Sequence, residues 1–195
     1  MCNLYRIEKN PDAIRRLFES VQIPLTFPEG IPNVQPTDVR ITDRAPVVRW
    51  SGDHAELVIR RWSWPSRYGK PLFNMRSDGR NFPKDRCLVP LDGFYEYTSP
   101  TDPARKRKDC WLFRPAEGQE FAIAGLLRSH PEVGEAFTLL TGPPGPDVEP
   151  FHGRQIALLR PDQWRGWLDG SAPSLELMKP TPAGSLEVRP TQSSP

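Results

Sequence analysis

The segment Arg86-Cys87-Leu88-Val89-Pro90-Leu91-Asp92-Gly93-Phe94-Tyr95-Glu96-Tyr97 decides the fold class. Its apolar runs, 87–89 and 94–97, have strand length, and the second is aromatic. Pro90 and Asp92-Gly93 punctuate them with residues that suit a turn and interrupt a helix. The same rhythm recurs at 111–113, 121–127, 137–140 and 156–159, where short apolar runs are again bounded by turn residues. With 24 Pro and 14 Gly among 195 residues, many turns and few long regular elements are expected. The core should be mostly antiparallel sheet.

Upstream, Val47-Val48-Arg49-Trp50 and Leu57-Val58-Ile59-Arg60 flank Ser51-Gly52-Asp53-His54, which predicts a β-hairpin. Residues 24–36, rich in Pro, Gly and Asn, read as an irregular crossing segment. Asn10-Pro11-Asp12 offers an N-cap with Pro in the first turn, and Ile14, Leu17, Phe18 and Val21 follow at helical spacing. A second short helix is expected from near Asp162, with Trp164, Trp167 and Leu168 inward and a stop at Gly170. From Lys179 the chain is Pro, Thr, Ser and Gly with few apolar anchors, so burial is too small to offset ordering entropy. The expected organisation is one domain over 1–178 and a flexible tail over 179–195.

The 26 basic and 24 acidic residues leave a net charge of +2, so any nucleic-acid surface must be local. Three cysteines, Cys2, Cys87 and Cys110, are too few and too odd in number for a disulfide framework and suit a reducing compartment. No signal-like amino terminus and no apolar run of about 18 residues is present, so a soluble cytoplasmic protein is expected, nucleoid-associated if bacterial. His54, His130 and His152 are scattered, as are the cysteines, so neither metal nor cofactor is expected.

Position two carries the chemistry. Removing Met1 would leave Cys2 with an α-amine and a thiol on one residue. With reference pKa values of about 7.7 to 8.0 and about 8.5, an appreciable minority of each is expected to be reactive near neutrality. Toward an aldehyde the amine forms an imine and the sulfur closes a five-membered thiazolidine, without a cofactor. A Met-Cys start alone is more often an ordinary small residue near a terminus.

Other motifs change that reading. Phe73-Asn74-Met75-Arg76-Ser77, the segment 86–97 and Phe151-His152-Gly153-Arg154 follow the amino-terminal Cys in order. This set resembles the SRAP family of abasic-site processing proteins, over roughly residues 1–170. The resemblance implies an α/β fold of the α+β type: one domain of curved, mainly antiparallel sheets with peripheral helices around a central DNA-binding cleft. It implies that Cys2 is the nucleophile toward the aldehyde of an abasic site in single-stranded DNA, acting as a monomer. Asn74 would hydrogen-bond near the Cys2 amine or the sugar, Glu96 would shuttle protons during imine formation, and His152 would favour the ring-opened aldehyde.

Single-strand binding needs cations for phosphates and aromatic faces for bases. Arg60-Arg61-Trp62-Ser63-Trp64-Pro65-Ser66-Arg67 interleaves both and resembles the family stretch that borders the cleft, making Trp62, Trp64 and Arg67 candidates there, with Trp62 expected in the core and Trp64 either core or a stacking wedge. Arg76 is the foremost phosphate candidate, with Ser77 and Arg154 beside the motif residues. Asn33, Pro36 and Thr37 resemble the family's Asn-x-x-Pro-Thr element and would line the same cleft, as would Thr141. Arg105-Lys106-Arg107-Lys108 sits in a loop, where charge runs are usually solvated. Two departures stand out: Asn3-Leu4-Tyr5 replaces the family's usual Gly-Arg-Phe, and Gln155-Ile156 follows Arg154 where Met-Pro is common.

Two rival readings exist. Glutamine-amidotransferase-like hydrolases also use an amino-terminal Cys, but the Glu96 and His152 motifs would then go unexplained. A non-covalent single-strand-binding module would leave Cys2 incidental.

Overall fold

The computed structural model describes residues 2–191 apart from Thr101 and Pro103. In chain order, β1 (Leu4–Ile7), α1 (Pro11–Ser20), β2 (Leu25–Thr26) and β3 (Thr37–Arg40) open the fold. The hairpin strands β4 (Arg44–Ser51) and β5 (His54–Trp62) follow, then the short β6 (Trp64–Pro65), β7 (Pro71–Leu72) and β8 (Asn74–Arg76). Next come β9 (Arg86–Pro90), β10 (Gly93–Thr98), β11 (Asp109–Pro115), β12 (Ala122–His130) and β13 (Gly134–Gly142). The carboxyl-terminal part adds β14 (Gln155–Ile156), β15 (Leu158–Leu159), α2 (Pro161–Leu168), α3 (Ser174–Leu177) and β16 (Leu186–Pro190).

Two large sheets result. A five-stranded sheet has the order β16-β11-β10-β1-β3. In the nine-stranded sheet, β13-β12-β9-β4-β5 closes on itself because β13 also pairs in parallel with β5, at Ala136↔Arg61 and Phe137↔Trp62. Most other pairings are antiparallel, so the expected curved, mainly antiparallel α+β architecture is what forms. The two halves of the segment 86–97 are strands, but they do not pair as a hairpin: β9 belongs to the larger sheet and β10 to the smaller. The corner between them is tied down by Asp92, whose Oδ2 accepts from the backbone N–H groups of Glu8 and Lys9.

The core lies between the sheets, with Tyr5, Ile7, Phe94 and Phe113 meeting Val58, Leu88, Ile123, Phe137 and Leu139. Helix α1 begins where expected, with Asn10 Oδ1 accepting from Ala13 N at 2.8 Å, and buries Ile14 and Phe18. Phe18 stacks on Trp164 of α2 with ring centroids 4.7 Å apart, and Trp167 donates its indole N–H to Cys87 O at 2.9 Å. The hairpin turn also falls as expected, Ser51 pairing with His54 across Gly52 at φ +62°. Among the described residues no helix is long and apolar enough to cross a membrane.

The tail is the main correction to the expected fold. Residues 186–190 form β16, paired along its length with β11 from Trp111↔Pro190 to Pro115↔Leu186. Asp147 accepts from Gly184 N and Leu186 N at 2.9 and 3.0 Å, and Gln155 Nε2 donates to Thr181 Oγ1 at 3.1 Å. Gly145 permits this approach, since a Cβ there would lie 2.3 Å from Thr181 O. A few well-placed partners replace the apolar content the segment lacks. Residues 192–195, also assigned to the tail, lie outside the described residues, as does Met1.

Candidate functional site

Cys2 stands two residues before β1, which is gripped on both sides by β3 and β10. It is 1% exposed, and its Sγ donates to Leu4 O at 3.2 Å. Asn74 opens β8, which pairs in parallel with β13 at Leu139↔Asn74. Its Nδ2 donates to the Cys2 carbonyl oxygen at 2.7 Å, joining the larger sheet to the amino-terminal residue of the smaller. The buried Asn74 Oδ1 accepts no hydrogen bond among the described residues, so the amide keeps an acceptor in reserve beside Cys2.

Glu96 projects from β10 and shares with Asn3, Tyr97, Lys108 and His152 an open pocket of about 350 Å³. His152 reaches it because the turn before it is tightly wound: His152 N and Phe151 N both donate to Val148 O. Phe151 then wedges against Trp111 and Phe113 of β11, at ring-centroid distances of 4.9 and 5.3 Å. His152 Nδ1 lies 3.0 Å from both the backbone N–H and the carbonyl oxygen of Arg154, so the Arg154 main chain holds the ring in place in either tautomer.

Burial raises the proton affinity of Glu96, and the nearby His152 charge opposes that shift. Burial first, and the Glu96 carboxylate second, push the Cys2 thiol up to about 12. In the chain that still carries Met1, sulfur therefore rests as a thiol; the expected minority of thiolate near neutrality concerns Cys2 after Met1 is removed. A carboxyl with raised proton affinity and an imidazole thus share one pocket, and that carboxyl and the Asn74 amide each neighbour Cys2, a set able to move protons during carbonyl chemistry.

The remaining candidates divide. Arg76 is exposed on β8, two positions from Asn74 and hence on the same face, and forms no ion pair among the described residues. Arg154 instead donates to Asp78 Oδ2 and Thr141 O, both at 2.7 Å, and Ser77 Oγ donates to the same Thr141 oxygen at 2.9 Å. Thr141 and Ser77 are buried. These three form a strut holding β8, β13 and the His152 turn together. Trp62 lies in the core as expected, fully buried with its indole N–H donated to Phe73 O at 2.9 Å. Trp64 is buried in β6, whereas Arg67 is exposed and lies over the Tyr68 ring.

Asn33, Pro36 and Thr37 are exposed, but Asn33 and Thr37 line a second cavity of about 280 Å³ floored by Ile7, Val39 and Ile59, not the pocket of Glu96 and His152. Sequence reasoning missed Asn3, Tyr97 and Lys108 as pocket residues. Asn3 and Tyr97 were signalled by adjacency to Cys2 and Glu96, whereas Lys108 was hidden in its charge run.

The family profile described as "SOS response associated peptidase (SRAP)" matches residues 1–194. Among solved structures, a protein from Bordetella bronchiseptica superposes with a TM-score of 0.77 at 20% identity, covering 98% of this chain and 100% of its own. A phage-related protein from the same organism gives 0.73 at 19% identity, covering 98% and 95%. A protein from Bacteroides thetaiotaomicron gives 0.72 at 16% identity, covering 98% and 92%. At these identities the likeness shows the fold alone. No curated protein sequence matches. A profile spanning nearly the whole chain, with the shared fold behind it, establishes that this chain belongs to the SRAP family.

Proposed function

We propose that this chain, once Met1 is removed, binds single-stranded DNA as a cytoplasmic monomer and crosslinks covalently to abasic sites through Cys2. SRAP membership supports a role associated with DNA damage. The observation that supports the finer reading is the bond from Asn74 Nδ2 to the Cys2 carbonyl at 2.7 Å, which holds Cys2 where its thiol feels the Glu96 carboxylate.

The α-amine of trimmed Cys2 condenses with the abasic-site aldehyde, forming the C–N bond and releasing water. Glu96, with its raised proton affinity, gives the proton that converts the carbinolamine hydroxyl into leaving water. Sulfur then adds to the iminium carbon, and its proton passes back to the Glu96 carboxylate. The net change is thiol, amine and aldehyde to thiazolidine and water. Burial holds the thiol above its ordinary range, so the amine acts first and sulfur closes the ring within one residue, where its effective concentration is high.

The test mixes purified protein with single-stranded DNA bearing one abasic site. The expected product is a denaturant-stable adduct whose intact mass equals protein plus DNA less one water, abolished by Cys2→Ala. No adduct from trimmed protein overturns the reading, and glutamine hydrolysis would favour the amidohydrolase.

A further inference from the structure

The pocket of Glu96 and His152 has one basic side chain on its wall besides the imidazole: Lys108. Several other cations of the fold are committed. Arg6 bonds Glu8 and Asp38, Arg154 bonds Asp78, and Arg105 pairs with Asp109 at 3.0 Å. Lys108 is exposed and forms no ion pair among the described residues. Its backbone is fixed all the same, since the next residue, Asp109, begins β11 in register with Thr98 of β10, the strand that carries Glu96 and Tyr97.

We propose that Lys108 is a substrate-binding residue of this site and contacts a phosphodiester that flanks the reacting sugar. The inference rests on the proposed crosslinking of abasic DNA and deepens it. Any strand that delivers a sugar to Glu96 must bring phosphates, and their negative charge, with it. A flexible ammonium with no anionic partner of its own neutralises such a charge and releases a condensed counterion from the strand. Arg76, on the strand of Asn74, has the same freedom and leaves a second cation for the strand to follow. The basic run 105–108 thus contributes through its last member, not as a diffuse patch.

The test compares the parent with Lys108→Gln and Lys108→Arg, each also carrying Cys2→Ala. Fluorescence anisotropy follows non-covalent binding of a single strand with one abasic site across a salt series. Lys108→Gln should weaken binding about three- to tenfold and lower the slope of log affinity against log salt by about 0.7, as expected for one lost contact to a single strand. Lys108→Arg should restore most of both. Crosslinking by the Cys2-bearing proteins should show the loss in half-saturating DNA concentration. An unchanged salt slope in Lys108→Gln, or a loss confined to the rate at saturating DNA, overturns the inference. If the parent forms no adduct, the crosslinking reading fails while the salt slope still judges Lys108. Absence of any binding by the parent overturns both.

Discussion

If the thiol of Cys2 rests un-ionised, its reactivity should show it. An ordinary cysteine of pKa about 8.5 is roughly 7% thiolate at pH 7.4. With the thiol pushed up to about 12, that fraction falls by about three orders of magnitude. Alkylation proceeds through the thiolate, so iodoacetamide should modify Cys2 of the folded, Met1-bearing chain at least about a thousandfold more slowly than the urea-unfolded chain. Peptide mass spectrometry after timed pulses measures this, with buried Cys87 and Cys110 as internal references. The pH dependence separates ionisation from mere shielding: the native rate should climb about tenfold per unit to pH 10 without levelling, whereas an ordinary thiol levels above about pH 9. Trimming Met1 should speed the reaction, because a neighbouring α-ammonium favours the thiolate. Native labelling within tenfold of the unfolded rate, or a plateau below pH 9, would refute the reasoning.

Further expectations concern the fold and the acid. Leu186→Ala should cost about 2–3 kcal/mol, the lower part of the range for buried leucines because β16 is an edge strand that can relax, and lower Tm by about 4–10 °C; a change within about 0.5 kcal/mol would mean the tail is not docked. Glu96→Gln should stabilise the protein at pH 8 relative to the parent while crosslinking is lost. The sign follows from the raised proton affinity: the folded carboxyl holds its proton to higher pH than the unfolded one, so the parent loses stability as pH rises from the unfolded pKa through the folded pKa. Urea titrations should therefore show the two proteins converging at pH 4, and equal stability at both pH values would contradict the buried-acid account. Arg86→Met should cost about 2–4 kcal/mol in the same titration, with no rescue by Arg86→Lys. The guanidinium spans the carbonyls of Phe82, Trp167 and Ala172 and lies over the Trp167 ring, a fork that an ammonium cannot reproduce.

Legibility followed the range of the forces involved. The hairpin across Gly52, the Asn10 cap and the inward Trp164 and Trp167 were readable because each rests on contacts within a few residues of chain. The docked tail, Thr181 and β16, was not readable, because its partners Gln155, Asp147 and β11 lie far upstream. Composition reported too little apolar surface and was silent about complementary hydrogen bonds.

The same division runs through the candidate site. By itself the sequence determined the reagents: an amino-terminal Cys, an amide, an acid and an imidazole in an order that resembles one family. Tertiary structure decided which of them meet and in what ionisation state. It joined Asn74 to Cys2 across 72 positions, buried the thiol, and turned Arg154 onto Asp78, 76 positions away, while leaving Lys108 facing the pocket. The physical reason is that desolvation and ion pairing depend on what stands within a few ångströms, and those neighbours come from parts of the chain that only folding brings together.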